Sequence, residues 1–263
     1  MLNTASMTAQ ATRRAAQKAA RQAARKADKG PGQLRSLLRA AHPRQALGFA
    51  VVVGTLVALT GRPLREIAVS AVAVLVAQLV MGLLNDLLDV DRDRMGGAKG
   101  KPIADGLVAP GNASFAIAVL LLLLLPLSLQ NGTEAGLYVL ATLVVGFVHN
   151  RWLHTTALSW VGWSATFALL TFFVTYGGWG RDADGSAPLT SFVVLCAVLG
   201  VCVHFLTSLP DLVVDNQAGT KHLPLRIALR TGAPRLMVIA IAATVVVLAA
   251  IVWTTAQAGA IAS

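Results

Sequence analysis

The sequence predicts an all-α protein, a polytopic membrane bundle of about seven transmembrane helices. Three observations predict it. Hydrophobic residues make up 56% of the 263 positions and charged residues only 13%, with a mean hydropathy of +0.67, whereas a water-soluble chain carries about a quarter charged residues. The apolar residues gather into runs that meet or approach the roughly 20 residues needed to cross a hydrocarbon core about 30 Å thick. The charge is segregated: of the formal +10, residues 1–44 supply nine, with Arg13, Arg14, Lys18, Arg21, Arg25, Lys26, Lys29, Arg35, Arg39 and Arg44 set against Asp28 alone. A basic balance confined to one tail does not describe a nucleic-acid-binding surface, and the body that follows is nearly neutral.

The runs cover approximately Ala46–Thr60, Ile67–Leu88, Ala113–Leu129, Ala135–His149, Leu158–Tyr176, Ser191–Leu209 and Leu236–Thr254. The first and fourth are short and draw on flanking residues. Gly30-Pro31-Gly32 separates tail from body, so the chain divides into a basic tail over residues 1–44 and a transmembrane domain over 45–263, with no internal repeat or soluble domain. Cys196 and Cys202 fall six positions apart in one run, on different faces of a helix. That spacing predicts neither a disulfide within the helix nor a zinc site.

Lys and Arg stay on the cytoplasmic side of short loops. With the tail in the cytoplasm, seven crossings place Arg92, Arg94, Lys99, Lys101, Arg151, Lys221, Arg226, Arg230 and Arg235 on the tail's side, nineteen basic residues in all, against Arg62, Arg65 and Arg181 opposite. The expectation is an integral protein of the cell (plasma) membrane, N-terminus inside and C-terminus outside. The tail is rich in Ala and poor in Leu, Phe and Trp before Leu34. It fits either a weakly inserting surface helix drawn to anionic membrane lipid or an orientation signal without persistent structure.

Of twelve acidic residues, six sit in two segments: Asp86, Asp89, Asp91 and Asp93 close the second apolar run, and Asp211 and Asp215 close the sixth. Steps of three and four put 86, 89 and 93 on one helix face, and 211 and 215 on another, with Asp91 pointing away. Like charges at this spacing repel, and burial beside a membrane removes their hydration. A hard divalent cation is the natural compensation, the alternative being a solvated juxtamembrane turn whose acids cap helices. Mg²⁺ takes one or two protein carboxylates together with substrate phosphates, so two facing clusters suit ions around a diphosphate. Arg92, Arg94, Lys99 and Lys101 beside the first cluster, and Lys221, Arg226 and Arg230 beside the second, either donate to phosphate oxygens or only enforce orientation. Lys221 is the strongest single candidate.

Asn85-Asp86-x-x-Asp89-x-x-x-Asp93 followed by Gly100-Lys101-Pro102-Ile103-Ala104 and Gly106 resembles the first signature of the UbiA superfamily of intramembrane prenyltransferases. Asp211-x-x-x-Asp215 followed by Gly219-Thr220-Lys221 resembles its second. The resemblance covers roughly Arg44 to Trp253. It implies a bundle around a central cavity, in which Asn85, Asp86, Asp89, Asp93, Asp211 and Asp215 hold Mg²⁺, and Asn85, Arg92, Arg94, Lys101, Lys221 and Arg226 bind an isoprenoid diphosphate. The five carboxylates are then the catalytic set: the metal they hold assists ionisation of the diphosphate, and the prenyl group passes to an aromatic or other lipophilic acceptor. Two alternatives use the same fold: a membrane terpene cyclase acting on the diphosphate alone, and a non-catalytic lipid-binding or assembly protein.

The sequence departs from the family in three places. Relatives usually have nine membrane helices, so a seven-helix chain is expected to leave a lateral opening between its first and last helices, covered by lipid or by a second copy in a homo-oligomer. His222 stands where Thr is common. His149-Asn150-Arg151-Trp152-Leu153-His154 stands where many relatives carry Tyr and a nearby Lys. Trp152, Trp160, Trp163, Phe167, Phe172 and Phe173 either pack the bundle or face a cationic intermediate. His149, His154 and His204 are candidate bases or hydrogen-bonded bundle residues, and the sequence assigns no base.

Overall fold

The computed structural model describes residues 32–96, 100–178 and 187–262. The tail to residue 31, Lys99 and Arg181 lie outside the described residues. Every regular element among those described is helical: α1 (Gln33–Ala40), α2 (Pro43–Leu59), α3 (Leu64–Leu88), α4 (Val90–Gly96), α5 (Pro110–Leu129), α6 (Thr133–Val148), α7 (Ser159–Tyr176), α8 (Thr190–Ser208), α9 (Leu212–Gln217), α10 (Leu223–Thr231) and α11 (Ala233–Ala262). A π-helical turn, His149–Leu153, prolongs α6, and a 3₁₀ turn, Leu209–Asp211, links α8 to α9.

All seven apolar runs are helices, namely α2, α3, α5, α6, α7, α8 and α11. Five stretches have the length and hydropathy to cross a membrane, and the α1–α2 pair, bent by 55°, makes a sixth if taken as one broken span. By length and composition five or six helices among the described residues qualify, and the count of seven is not confirmed by that measure. Two physical reasons account for the difference. The first run is short and enters through a bend, and α7 carries Ser159, Trp160, Ser164, Thr166, Thr171 and Thr175, which lower its hydropathy. The outer face is apolar, with Leu122, Val144, Val238 and Val246 all exposed. These features define an integral membrane protein, since in hydrocarbon the helix satisfies its own backbone groups.

Helices adjacent in sequence pack on one another. α2 lies on α3, α3 on α5 and α6, α6 on α7, α7 on α8, and α11 on α8. Phe49 carries α2 across to α7, its ring centroid 6.4 Å from that of Trp163 and 5.6 Å from that of Phe167. One core cluster, around Val57, Val74, Leu124, Val139 and Phe173, fills the bundle. A second, around Ala40, Ala41, Leu83, Ile103 and Val108, lies under the end of α3 and ties α1 to the bundle.

The bend between α1 and α2 positions part of the site. Gly82 lets the elbow seat on α3: a Cβ there would stand 2.4 Å from the Ala41 carbonyl oxygen. The next residue, His42, has φ of 50°, the one positive value at a non-glycine among the described residues, a conformation an ordinary side chain adopts at a cost. Pro43 then starts α2 at a position where its missing N–H is harmless.

Candidate active site

The acid face of the first motif is real. Asp86, Asp89 and Asp93 are all buried, while the side chain of Asp91 is 93% exposed. α3 ends at Leu88, yet the bonds Asp89 N–H to Asn85 C=O (3.0 Å) and Asp93 N–H to Asp89 C=O (2.8 Å) carry helical geometry across the junction into α4. The three-and-four spacing survives the break for that reason.

Lys101 neutralises the middle of this face. Its Nζ donates to Asp86 Oδ1 at 2.8 Å and lies 3.9 Å from Asp93 Oδ2. The loop that carries it is wedged into the fold, with Pro102, Ile103 and Val108 buried. Its backbone is tied by Asp105 N–H to Lys101 C=O and by Leu107 and Val108 N–H to Pro102 C=O, and the turn closes at Gly106, whose φ is +72°. His42 Nε2 donates to the same Asp86 oxygen at 2.9 Å. Arg92 Nη2 donates to Asp89 Oδ2 at 2.6 Å, and its Nη1 bonds His154 Nε2.

Burial outweighs these cations at the outer carboxyls. Asp89 is pushed up to about 6 by desolvation, with Arg92 opposing and Asp93 adding to the rise. Asp93 is raised by the same cause. His154 is pushed down to about 4 by burial and then by Arg92. It is therefore a neutral acceptor for Arg92 rather than a true ion-pair partner of Asp89, although its Nε2 lies 3.7 Å from Asp89 Oδ1.

The second motif is held by the segment that follows it. Asp211 ends the 3₁₀ turn and is exposed toward the cavity it helps line, whereas Asp215 is half-buried in α9. The chain reverses at Gly219, φ +72°, and Thr220 bonds back to the Asp215 carbonyl through both N–H and Oγ1 at 3.0 Å. Lys221 N–H then reaches the Thr155 carbonyl at 3.0 Å, which joins this segment to the turn bearing His149 and His154. His222 caps α10: its Nδ1 accepts from Leu225 N–H at 3.2 Å, so its proton sits on Nε2, which donates to Asp215 Oδ2 at 3.0 Å.

Asn85 of the first motif and Asp211 of the second line one cavity of about 380 Å³, with Lys101 among its polar groups and Phe49 and Trp163 among its aromatic ones, whereas Asp86, Asp89, Asp93 and Asp215 are not among its lining residues. Volumes of this order suit small-molecule sites. Asn85 and Lys101 are thus at the cavity, and Arg92 braces Asp89 beside it. Arg94 is exposed and turned to the Ala104 carbonyl and Asp91. Arg226 is exposed and donates to the Lys221 carbonyl at 2.7 Å, and the Lys221 side chain is exposed as well. These three are not among the lining residues. Trp152 is exposed and packs edge-on against Phe147. Sequence reasoning missed His42, Gln45, Gln78, Thr142, Thr166 and Thr207, which all line the cavity. Gln78 had a readable signal: an amide inside an apolar run, seven residues before Asn85 and so on the same helix face.

A cation fits the donor set. Asp86 Oδ2 and Asp93 Oδ2 are buried without a hydrogen-bond partner, an unfavourable state that a ligand relieves. Among the described residues no three carboxylate, imidazole or thiol groups converge closely enough to enclose an ion by themselves. A Mg²⁺ held here would need water and substrate oxygens as further ligands.

Fold and site together define a class: an integral membrane helical bundle with a polar cavity between its helices, beside two acidic motifs. The fold is similar to that of a UbiA homologue from Archaeoglobus fulgidus, both bound to GPP and Mg²⁺ (17% identity, TM-score 0.65, covering 82% of this chain and 77% of that one) and bound to DMAPP and Mg²⁺ (18%, 0.64, 82% and 77%). It is also similar to a structure of digeranylgeranylglyceryl phosphate synthase (15%, 0.57, 82% and 76%). No curated protein matches the chain. The chain belongs to the UbiA prenyltransferase family, whose sequence profile matches residues 46–263.

Proposed function

We propose that the protein is a Mg²⁺-dependent prenyltransferase of the membrane, taking an isoprenoid diphosphate and passing its prenyl group to an aromatic or other lipophilic acceptor. The observation that carries this reading is the pair of buried oxygens of Asp86 and Asp93, each without a hydrogen-bond partner, on either side of Lys101, whose side chain lines a cavity of mixed polar and aromatic walls. The solved relatives with GPP or DMAPP and Mg²⁺ support the substrate class.

In this reading Asn85, Asp86, Asp89 and Asp93 hold metal on one side of the cavity, and Asp211 and Asp215 on the other. Mg²⁺ bound by these residues would supply positive charge to offset that of a leaving diphosphate. Lys101 donates to the phosphate oxygens, and Arg92 holds Asp89 in place. His42 and His222, each hydrogen-bonded to a carboxylate, orient Asp86 and Asp215. Phe49 and Trp163 present ring faces to a developing allylic cation and keep water from it. Arg94, Lys221 and Arg226 stand outside the cavity lining, so any service to the diphosphate requires their exposed side chains to swing inward. The tail and the loops bearing the two motifs are assigned to the cytoplasm, on the basic-residue bias.

The test is product analysis. Membranes containing the chain are given dimethylallyl or geranyl diphosphate with Mg²⁺, with and without phenolic and lipid acceptors. Prenylated acceptor that disappears on chelation supports transfer, and a cyclic hydrocarbon formed without acceptor supports the cyclase. Diphosphate binding with no turnover across the acceptor panel supports a non-catalytic role.

A further inference from the structure

Two short helices carry a pattern that the site chemistry does not use. On α1, Ser36 and Ala40 are buried against the bundle, Leu34 and Leu38 are 72% and 50% exposed, and Arg35 and Arg39 are exposed beside them. Steps of four make each pair a stripe, and a shift of one residue sets the basic stripe next to the apolar one. α10 repeats the arrangement. Pro224 and Leu225 are buried, Arg226 and Arg230 form an exposed stripe, and Leu229 beside them is 65% exposed. Among the described residues, Arg35, Arg39 and Arg230 have neither an ion pair nor a side-chain hydrogen bond. Neither helix has an acid in its first turn. Each has an arginine there, Arg35 or Arg226, set against the helix dipole, an arrangement that an external anion offsets.

Both helices lie where the long helices α3 and α8 stop, at the end of the bundle that bears the acidic motifs. α1 is bent 55° from α2, and α10 is bracketed by turns at Gly219 and Gly232, both at positive φ. At that depth acyl chains and phosphate groups are present together. An acidic soluble partner would satisfy the arginines and leave the leucines in water, and hydrocarbon alone would do the reverse. An anionic phospholipid satisfies both stripes at once. Orientation by positive charge needs arginines on one side of the membrane, but it does not need them in stripes beside exposed leucines. Each helix is also joined to a histidine that holds a carboxylate. α1 runs through Ala41, seated on Gly82, into His42, which bonds Asp86 at 2.9 Å. His222 caps α10 and bonds Asp215 at 3.0 Å.

We propose that α1 and α10 dock on anionic phospholipid. Arg35, Arg39, Arg226 and Arg230 bind headgroup phosphates, Leu34, Leu38 and Leu229 enter the acyl layer, and docking holds His42 and His222 against Asp86 and Asp215. The last step rests on the metal reading given above; the docking itself does not.

The experiment places the full chain, as Leu38→Cys or Leu229→Cys carrying a bimane on the new thiol, in phosphatidylcholine bilayers with and without phosphatidylglycerol. Cys196 and Cys202 are buried, so a water-soluble reagent labels the new thiol. Lipid bearing an acyl-chain nitroxide should quench both labels more strongly when phosphatidylglycerol is present, and salt should reverse the gain. Arg35→Gln should lower the docking equilibrium at position 38 about fivefold, the worth of one arginine at an anionic surface, and spare position 229. Arg230→Gln should do the converse. Quenching that ignores phosphatidylglycerol, or quenching absent from both bilayers, overturns the docking. So does a phosphatidylglycerol response that neither substitution changes, which assigns it to the tail. Retention of radiolabelled geranyl diphosphate tests the coupling in bilayers containing phosphatidylglycerol: both substitutions should raise the Mg²⁺ concentration for half-maximal retention. Loss of a positive charge would by itself lower that concentration, so a rise reports the position of the helices, and no rise overturns the coupling. A wild-type chain that retains no geranyl diphosphate with Mg²⁺ overturns the metal reading, while the quenching still decides the docking.

Discussion

Replacing Asp89 with Asn separates what a buried charge costs from what it does. Asp89 is 5% exposed, and its carboxyl is pushed from 3.8 up to about 6, by burial first. At about 1.4 kcal/mol per pKa unit, the ionised group destabilises the metal-free fold by roughly 3 kcal/mol. The folded value lies above the unfolded one. The penalty is therefore absent below about pH 4, grows between pH 4 and 6 as the unfolded chain ionises first, and is full above pH 6. Asn keeps the shape and an oxygen that accepts from Arg92, and it carries no charge. In detergent without Mg²⁺, Asp89→Asn should match the wild type in thermal melts near pH 4 and exceed it at pH 7.5 by up to about 3 kcal/mol. Turnover moves the other way: losing one stabiliser of transition-state charge costs on the order of 3 kcal/mol, about a hundredfold in rate. Mg²⁺ with geranyl diphosphate should raise the wild-type melting temperature by linkage and raise the variant's less. A variant that melts below the wild type at pH 7.5, yet matches it at pH 4, would show that the charge stabilises the apo fold and refute the reasoning. Undiminished turnover would remove Asp89 from the metal site.

Three further substitutions probe the same geometry. Asp91→Ala, at a side chain 93% exposed, should leave turnover within twofold and the melting temperature unchanged, and a large loss of activity would contradict the one-face assignment. Gly82→Ala places a Cβ 2.4 Å from the Ala41 carbonyl oxygen, so overpacking should cost about 1–3 kcal/mol in melts. Because it lifts the elbow that holds His42 on Asp86, it should also raise the Mg²⁺ concentration needed for half-maximal rate. His222→Ala removes both the Asp215 hydrogen bond and the α10 cap. A stability loss of about 1 kcal/mol, with a fall in turnover on the order of tenfold, is expected from melts and initial rates, and a variant that loses stability alone would confine His222 to capping.

What was legible in the sequence follows from local periodicity, and what was not follows from packing. The apolar runs are read at 1.5 Å per residue, and each became a helix. The shared face of Asp86, Asp89 and Asp93 depends on steps of three and four within one helical path, which persists because Asp89 and Asp93 continue the bonding pattern across the α3–α4 junction. Spacing is silent on partners brought from elsewhere. His42 reaches Asp86 across 44 positions only because the elbow seats on Gly82, and neither the seat nor the positive φ can be seen in a string containing His-Pro. Proximity in sequence misleads in the same way: Arg94 and Arg226 sit beside the acid clusters along the chain, yet a helical step of 100° per residue turns Arg94 toward Asp91 and the outside, while Arg226 folds back on the Lys221 carbonyl. Lys101 does the reverse. It stands fifteen residues from Asp86, and it reaches the centre of the acid face because Pro102, Ile103 and Val108 bury the loop behind it. A cation near an acidic motif is thus placed by the apolar residues flanking it, and that flanking pattern is the signal to read: Lys101 precedes a buried Pro-Ile pair, whereas Arg94 lies one helical turn past the exposed Asp91.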